Sequence, residues 1–268
     1  MRKWFSTLAA LIAAVVIFAP VPGQAHFGAI IPSEDIVTQQ HEGDLALEIK
    51  FLHPVEMEYM EMEKPETFGV MHNGKKTDLT GRLKPAGGKS PGQKKNDTFW
   101  KALYPIQRPG DYTFYTEPKA YWEPAEDLFI KHYTKVCVNA YALEQGWDQP
   151  VGLETEIVPL TRPYGLWTGN VFTGRVLVNG QPAAHAEVEV EYLNESAGDS
   201  GYIEPPFSPY VTQVVRADAG GVFTYAMPKA GWWGFSALTE ADWTRQHKGE
   251  EKNVEIGAVY WVRTRDVK

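Results

Sequence analysis

Apolar and polar residues alternate along most of the chain, in short segments separated by turn residues. The first clear segment, 45–53, places four apolar residues and a histidine on one face: Leu45, Leu47, Ile49, Phe51 and His53. Residues 128–138 and 254–262 alternate in the same way. Segments of period two with Gly, Pro and Asn-Gly turns between them predict β-strands packed as a sandwich. Since the pattern contains no long amphipathic helix, the expected fold class is all-β.

The beginning of the chain has the three parts of a secretory signal peptide. Arg2 and Lys3 precede an apolar run over 8–18, and Gly23-Gln24-Ala25 supplies small residues before a cut. The apolar run is too short to cross a membrane comfortably. We therefore expect residues 1–25 to be removed on export, with no membrane insertion afterwards.

The mature chain divides at the turn Thr161–Gly165. We predict two immunoglobulin-like or prealbumin-like sandwiches, an N-terminal one over 26–165 and a C-terminal one over 166–268. Residues 82–97, rich in Lys, Gly and Pro, are expected to form an exposed, mobile loop. The segment 186–192 alternates apolar residues with three glutamates, which predicts a strand with one face in water.

Charge and cysteine content exclude several classes of function. The chain has 34 acidic and 26 basic residues, and removing the two basic residues of the signal peptide leaves a net charge of −10. An exported acidic protein is a poor nucleic-acid binder, because phosphate repels it. A single cysteine, Cys137, excludes an internal disulfide framework and any multi-cysteine metal site.

Three histidines are the candidate metal ligands. Cleavage after Ala25 makes His26 the first residue, whose α-amine and imidazole Nδ1 can chelate one metal ion. His53 and His132 each lie in phase with the apolar face of a predicted strand. A buried imidazole is costly without partners, so each is either hydrogen-bonded in the core or a ligand. If the three converge, their four nitrogens suit divalent Ni, Co, Cu or Zn. The other four histidines are expected to be solvated in turns or on polar faces: His41, His72, His185 and His247.

Two neighbouring segments have open roles. Met57, Met60 and Met62 follow His53 closely, and their thioethers either serve as soft donors or fill gaps around the pocket. The aromatic and acidic segment 121–127 either orients an imidazole through its carboxylates or covers the end of the sandwich. Cys137 falls on the opposite strand face from His132 and is not expected to be a ligand.

Several short motifs occur together in a fixed order: His26-Phe27-Gly28, Ile31-Pro32-Ser33, Phe51-Leu52-His53-Pro54, Arg108-Pro109-Gly110-Asp111-Tyr112, Tyr121-Trp122-Glu123-Pro124-Ala125-Glu126-Asp127, His132-Tyr133-Thr134-Lys135, and the run Glu156 to Gly165. In these motifs the chain resembles the periplasmic component of predicted nickel/cobalt uptake systems, a family long described as a domain of unknown function. Residues 174–236 separately resemble a prealbumin-like or carboxypeptidase-regulatory-like sandwich.

The resemblance implies capture of Ni²⁺ or Co²⁺ in the periplasm and delivery to an inner-membrane metal transporter. It implies a binding protein that is not an enzyme, with His26, His53 and His132 at motif positions. In this chain, the segment Met57–Glu63 is more acidic than the family leads us to expect.

Two other functions stay open. An N-terminal histidine with a second histidine also suits square-planar Cu²⁺, as in a histidine-brace copper carrier or oxidative enzyme. A metal-free adhesion or ligand-binding module, using aromatics such as Trp122, Trp147 and Trp167, would need no ion at all.

Overall fold

The computed structural model describes residues 25–90, 96–195 and 203–267. The predicted signal peptide lies outside these residues except for Ala25. Apart from two short 3-10 turns, Thr80–Arg82 and Ser208–Tyr210, the regular structure in the described ranges is β-strand. No helix within them is long and apolar enough to span a bilayer. The expected all-β, sandwich-like class is confirmed.

The strands are numbered in chain order. The first twelve are β1 (Phe27–Pro32), β2 (Ile36–Val37), β3 (Leu45–His53), β4 (Glu58–Tyr59), β5 (Thr67–His72), β6 (Lys75–Asp78), β7 (Lys84–Gly88), β8 (Asp97–Tyr104), β9 (Gly110–Glu117), β10 (Tyr121–Glu123), β11 (Leu128–Ala140) and β12 (Thr155–Pro159). The others are β13 (Leu166–Trp167), β14 (Val171–Val178), β15 (Gln181–Pro182), β16 (Glu187–Tyr192), β17 (Gln213–Arg216), β18 (Val222–Ala226), β19 (Gly231–Glu240), β20 (Arg245–His247), β21 (Glu250–Lys252) and β22 (Val254–Arg265).

One long sheet runs through both halves of the chain, in the order β17-β16-β19-β22-β11-β9-β5-β6. A smaller sheet, β1-β3-β8-β7, has β4 attached to β3, and a third joins β12, β14, β15 and β18. The hydrogen bond from Trp261 Nε1 to the Gly28 carbonyl, 2.8 Å long, ties β1 to the long sheet. The space between these two sheets holds the candidate ligands.

The two halves meet through strands β11 and β22, which pair in parallel from Phe129 opposite Val254 to Val136 opposite Trp261. Both strands are buried on both faces, as is usual for parallel pairing. The apolar clusters also cross between the halves: the N-terminal cluster around Phe27 includes Trp232 and Trp261, and the C-terminal cluster around Phe235 includes Cys137. The boundary at 165 stays a prediction.

The local pattern predicted several strands correctly and two segments incorrectly. Strand β3 spans the predicted residues 45–53, and the hairpin of β5 and β6 turns at Asn73-Gly74, both with positive φ. The expected loop at 82–97 is wrong over Lys84–Gly88, which forms β7 and pairs with β8. Lys and Pro suit an edge strand, because an edge leaves backbone groups unpaired.

The predicted wet face of β16 is wrong at Glu191, whereas Glu187 and Glu189 on the same face are partly exposed. Glu191 is 1% exposed, and its carboxylate accepts hydrogen bonds from the Val55 N–H and the Thr212 hydroxyl. The chain following β3 covers this face, so burial raises the pKa of Glu191 to about 8 and that of Glu189 to about 7. A period-two pattern marks the two faces of a strand, but it does not show what packs against the polar one.

Candidate functional site

Strands β1 and β3 bring two of the predicted ligands side by side. Phe27 pairs with Leu52 in antiparallel register, so His26 comes opposite His53 at the end of the pair. Their imidazole rings lie 4.8 Å apart, nearly edge to face. His53 is 6% exposed, and the side chain of His26 is 11% exposed. This contact follows directly from the strand register.

His132 enters the same inter-sheet space from β11. It is 2% exposed, and it pairs with Gly257 of the neighbouring strand β22. A Cβ on Gly257 would lie 2.5 Å from Cδ2 of His132, and a Cβ on Gly28 would lie 3.2 Å from Cβ of His132. Neither glycine has a positive φ, so each is needed here for space. The backbone of Gly257 therefore lies against the His132 ring, and that of Gly28 lies against its Cβ.

Phe51 connects the two parts of the site. Its ring centroid lies 5.8 Å from that of His26, stacked, and 5.9 Å from that of His132, edge to face. Within the part of the chain that the structure describes, no group of three or more His, Cys, Asp or Glu side chains is arranged to hold a metal ion. His26 lies against His53, and both His26 and His132 pack on Phe51, so a cation held by all three histidines would require the side chains to close in on it.

Glu123 of β10 orients the first histidine. Its Oε2 lies 3.0 Å from Nε2 of His26, in the segment expected to supply an orienting carboxylate. A carboxylate there holds the Nε2–H tautomer and leaves Nδ1 free as a donor. Burial lowers the pKa of His26 to about 4, helped by the nearby positive charges of His53 and His132 and opposed by Glu123. The imidazole is therefore neutral at pH 7, the form that binds metals.

The other two histidines have carboxylates nearby but no hydrogen bonds. Glu58 Oε2 lies 3.5 Å from Nδ1 of His53, and Glu255 Oε1 lies 3.9 Å from Nε2 of His132. Both nitrogens of each ring are buried and have no hydrogen-bond partner among the residues that the structure describes. Leaving buried polar atoms unpaired costs about 1–3 kcal/mol for each group, so the expected core hydrogen bonds are not what holds these side chains. They are available to a ligand.

A cavity of about 50 Å³ adjoins His132. Phe51, Met62 and Tyr121 form part of its wall. A space of this size holds an ion or a few waters, since one water needs only about 10–15 Å³ by this measure. The methionines were predicted either to act as donors or to pack. Met62 belongs to the N-terminal apolar cluster and also lines the cavity, and Met57 and Met60 pack against the same cluster.

The remaining candidates lie elsewhere. His72 stacks on Tyr112 at 4.0 Å, and His247 stacks on Trp122 at 3.8 Å, so both are half-buried rather than solvated. Cys137 is buried in the C-terminal cluster. The sequence did not single out Phe51 or Gly257 as site residues; their roles depend on neighbours distant in the chain.

A family described as "Domain of unknown function (DUF4198)" matches residues 23–241. The chain belongs to this family. The matched span contains His26, His53 and His132 together with Glu123 and Met62. The family description assigns no ligand, so the chemistry of the DUF4198 site must be argued from these residues. No curated protein matches the sequence.

Among solved structures, the DUF4198 chain is similar to domains D0-D1 of intimin, at 8% identity and a TM-score of 0.24, covering 88% of this chain and 99% of that one. It is also similar to an Escherichia coli alpha-2-macroglobulin, at 10% identity and a TM-score of 0.26, covering 91% of this chain and 16% of that one. We draw nothing about function from likenesses this distant.

Proposed function

We propose that the mature protein binds a divalent transition-metal ion, Ni²⁺ or Co²⁺, through His26, His53 and His132 in the periplasm. The ion would be cargo for an inner-membrane transporter. The observation that carries this proposal is the 4.8 Å contact between the His26 and His53 rings, in which neither nitrogen of His53 is hydrogen-bonded.

The charge of the site supports a cation over a small molecule. Glu123, Glu58 and Glu255 each lie within 4 Å of one candidate ligand. Carboxylates behind imidazoles raise ligand basicity and fix the ring orientation. They also offset the positive charge that a divalent ion would bring into a buried space. Imidazole donors suit Ni and also Cu and Zn. The donor set therefore indicates a divalent transition-metal ion and is common to these metals.

Calorimetric metal titration on two forms of the protein tests the role of the first residue. One form begins at His26, and the other carries Gly-Ser before it; both are titrated with Ni²⁺, Co²⁺, Cu²⁺ and Zn²⁺. We expect tight binding of one ion per chain by the first form and loss of tight binding by the second. Equal binding by both forms would refute the α-amine as a ligand.

Single variants test the side chains. We expect His53→Ala and His132→Ala each to weaken Ni²⁺ binding, and Glu123→Gln to weaken it about 10–100-fold by releasing the His26 ring. His185→Asn is the matched control, since His185 is exposed and has a positive φ that Asn tolerates. Unchanged affinity in the His53→Ala, His132→Ala double variant would overturn the site.

Copper is the second candidate, because the amine and Nδ1 of His26 also suit Cu²⁺. Copper binding in a titration does not distinguish a copper protein from a nickel or cobalt protein, since Cu²⁺ exceeds Ni²⁺ and Co²⁺ in affinity for most nitrogen sites. Oxygen- or peroxide-dependent cleavage of a substrate by the copper-loaded protein would establish the oxidative enzyme. If no divalent ion binds either form, the metal-free binding module takes first place.

A further inference from the structure

The cavity beside His132 has a buried inner wall and an exposed outer wall. The inner wall includes His132 and Gly28, both of which are buried. The outer wall includes Glu61 and Glu63, from the segment between β4 and β5, and Lys119, from the turn between β9 and β10; all three are exposed. Because buried and exposed residues bound the same space, the cavity leads from the protein surface to the His132 side chain.

The outer wall carries more negative than positive charge. Glu63 Oε2 lies 2.7 Å from Lys119 Nζ in an ion pair whose two side chains are about half exposed or more. Glu61 Oε2 accepts a hydrogen bond of 2.9 Å from the Thr98 N–H, which holds this carboxylate beside β8. Two carboxylates and one ammonium group give the mouth a net charge of −1. Clefts lined by one sign of charge concentrate ions of the opposite sign, so this mouth attracts cations.

The inner end of the cavity distinguishes it from an ordinary acidic surface. His132 is 2% exposed, and within the described part of the chain neither of its nitrogens has a hydrogen-bond partner. A buried imidazole without partners is costly unless something binds it. The cavity therefore connects an acidic mouth to a nitrogen donor that is available to a cation.

The size of the cavity sets what an entering ion must lose. Its volume is about 50 Å³, which is room for only a few waters at about 10–15 Å³ each. A divalent ion with a complete hydration shell does not fit, so it must shed water before it reaches His132. Removing water from an ion is costly unless other donors replace it, and carboxylate oxygens at the mouth can do so.

We propose that this cavity is the route by which the divalent ion reaches and leaves the histidine site. Glu61 and Glu63 act as transient oxygen ligands at its mouth, and Lys119 slows entry by its positive charge. The inference rests on the proposed function, since the route ends at His132. It gives a role to two acidic residues of the segment Met57–Glu63, whose acidity the family resemblance does not account for.

Stopped-flow kinetics test the route. The mature protein is mixed with Ni²⁺ at low ionic strength to measure association, and the loaded protein is mixed with a chelator to measure dissociation. We expect the Glu61→Gln, Glu63→Gln double variant to lower both rate constants about tenfold, the low end of the range for electrostatic steering. Its Kd should stay nearly unchanged, because the two carboxylates contact the ion only in transit. In about 1 M NaCl the effect on association should largely disappear, since charges are then screened within about 3 Å.

Two further variants provide the opposite change and the control. Lys119→Gln removes the positive charge from the mouth, so we expect it to raise the association rate. Glu144→Gln is the matched control, since Glu144 is also an exposed glutamate in an ion pair, with Arg162, but lies beyond the far end of β11 from His132. It should change neither rate constant. Glutamine at position 61 keeps an oxygen that can accept from the Thr98 N–H, so the local structure is retained.

The outcomes separate the route from the site. An unchanged association rate in the double variant, with Ni²⁺ still bound, would overturn the route and leave the histidine site standing. Faster dissociation with weaker affinity would also overturn it, because the carboxylates would then be ligands of the bound ion. If the wild-type mature protein binds no Ni²⁺, the proposed function fails and the route fails with it.

Discussion

Adding one methyl group at Gly257 tests the position of His132. Gly257 lies opposite His132 on β22, and the Cβ of an alanine there would approach Cδ2 at 2.5 Å and Nε2 at 2.7 Å. Ordinary contact begins near 3.4 Å. The ring must therefore retreat by roughly 0.7–0.9 Å. Because φ at Gly257 is not positive, the backbone itself accepts alanine.

The adjoining cavity decides how large the effect is. Overpacking a closed core costs about 1–3 kcal/mol. His132 has a cavity of about 50 Å³ beside it, so its ring can swing into that space. We therefore expect a loss of unfolding free energy near the lower end, about 1 kcal/mol. The displaced His132 nitrogens should weaken Ni²⁺ binding more severely, about 10–100-fold, as when an orienting partner is lost.

The assay compares urea unfolding with chelator present and metal titration of the folded variant. Gly81→Ala is the control, since a Cβ there meets nothing within 4 Å and φ is not positive. Gly81→Ala should change neither the free energy of unfolding nor the affinity for metal. A Gly257→Ala variant that binds Ni²⁺ with wild-type affinity would refute the assignment of His132 to the metal site.

Further predictions concern buried charges. Lys135 and Glu156 form an ion pair of 2.6 Å with both side chains nearly inaccessible, so Lys135→Met should cost about 3–5 kcal/mol in urea unfolding by leaving the carboxylate unpaired. The Lys135→Met, Glu156→Gln double variant should lose less than the sum of the two single losses; additive losses would contradict the coupling. Glu191, whose folded pKa is raised to about 8, binds its proton more tightly folded than unfolded, so stability falls as pH rises from about 4.5 to 8. Glu191→Gln should flatten that slope in metal-free protein, and an unchanged slope would count against the burial argument. His26, whose folded pKa is lowered to about 4, makes stability rise between about pH 4 and 6.5, and His26→Asn should remove that rise, measured by thermal unfolding across the window.

Alternation along the chain was sufficient to identify β3, β11 and the hairpin at Asn73-Gly74, because period two and turn chemistry are local properties. It also placed His53 and His132 on buried faces correctly. The failures were at β7 and at Glu191 of β16. In both, pairing or cover came from a segment that is not adjacent in sequence.

Sequence by itself determined the strand-forming character of the chain, the exclusion of disulfides by a single cysteine, and the inward phase of two histidines. Only the tertiary structure decided that His26 meets His53, because that contact depends on the register between β1 and β3. The cover of His132 by Gly28 and Gly257 likewise required strands from both halves of the chain to meet. Side-chain period is encoded within a few residues, whereas register and sheet packing arise from contacts between segments up to 233 residues apart in the sequence.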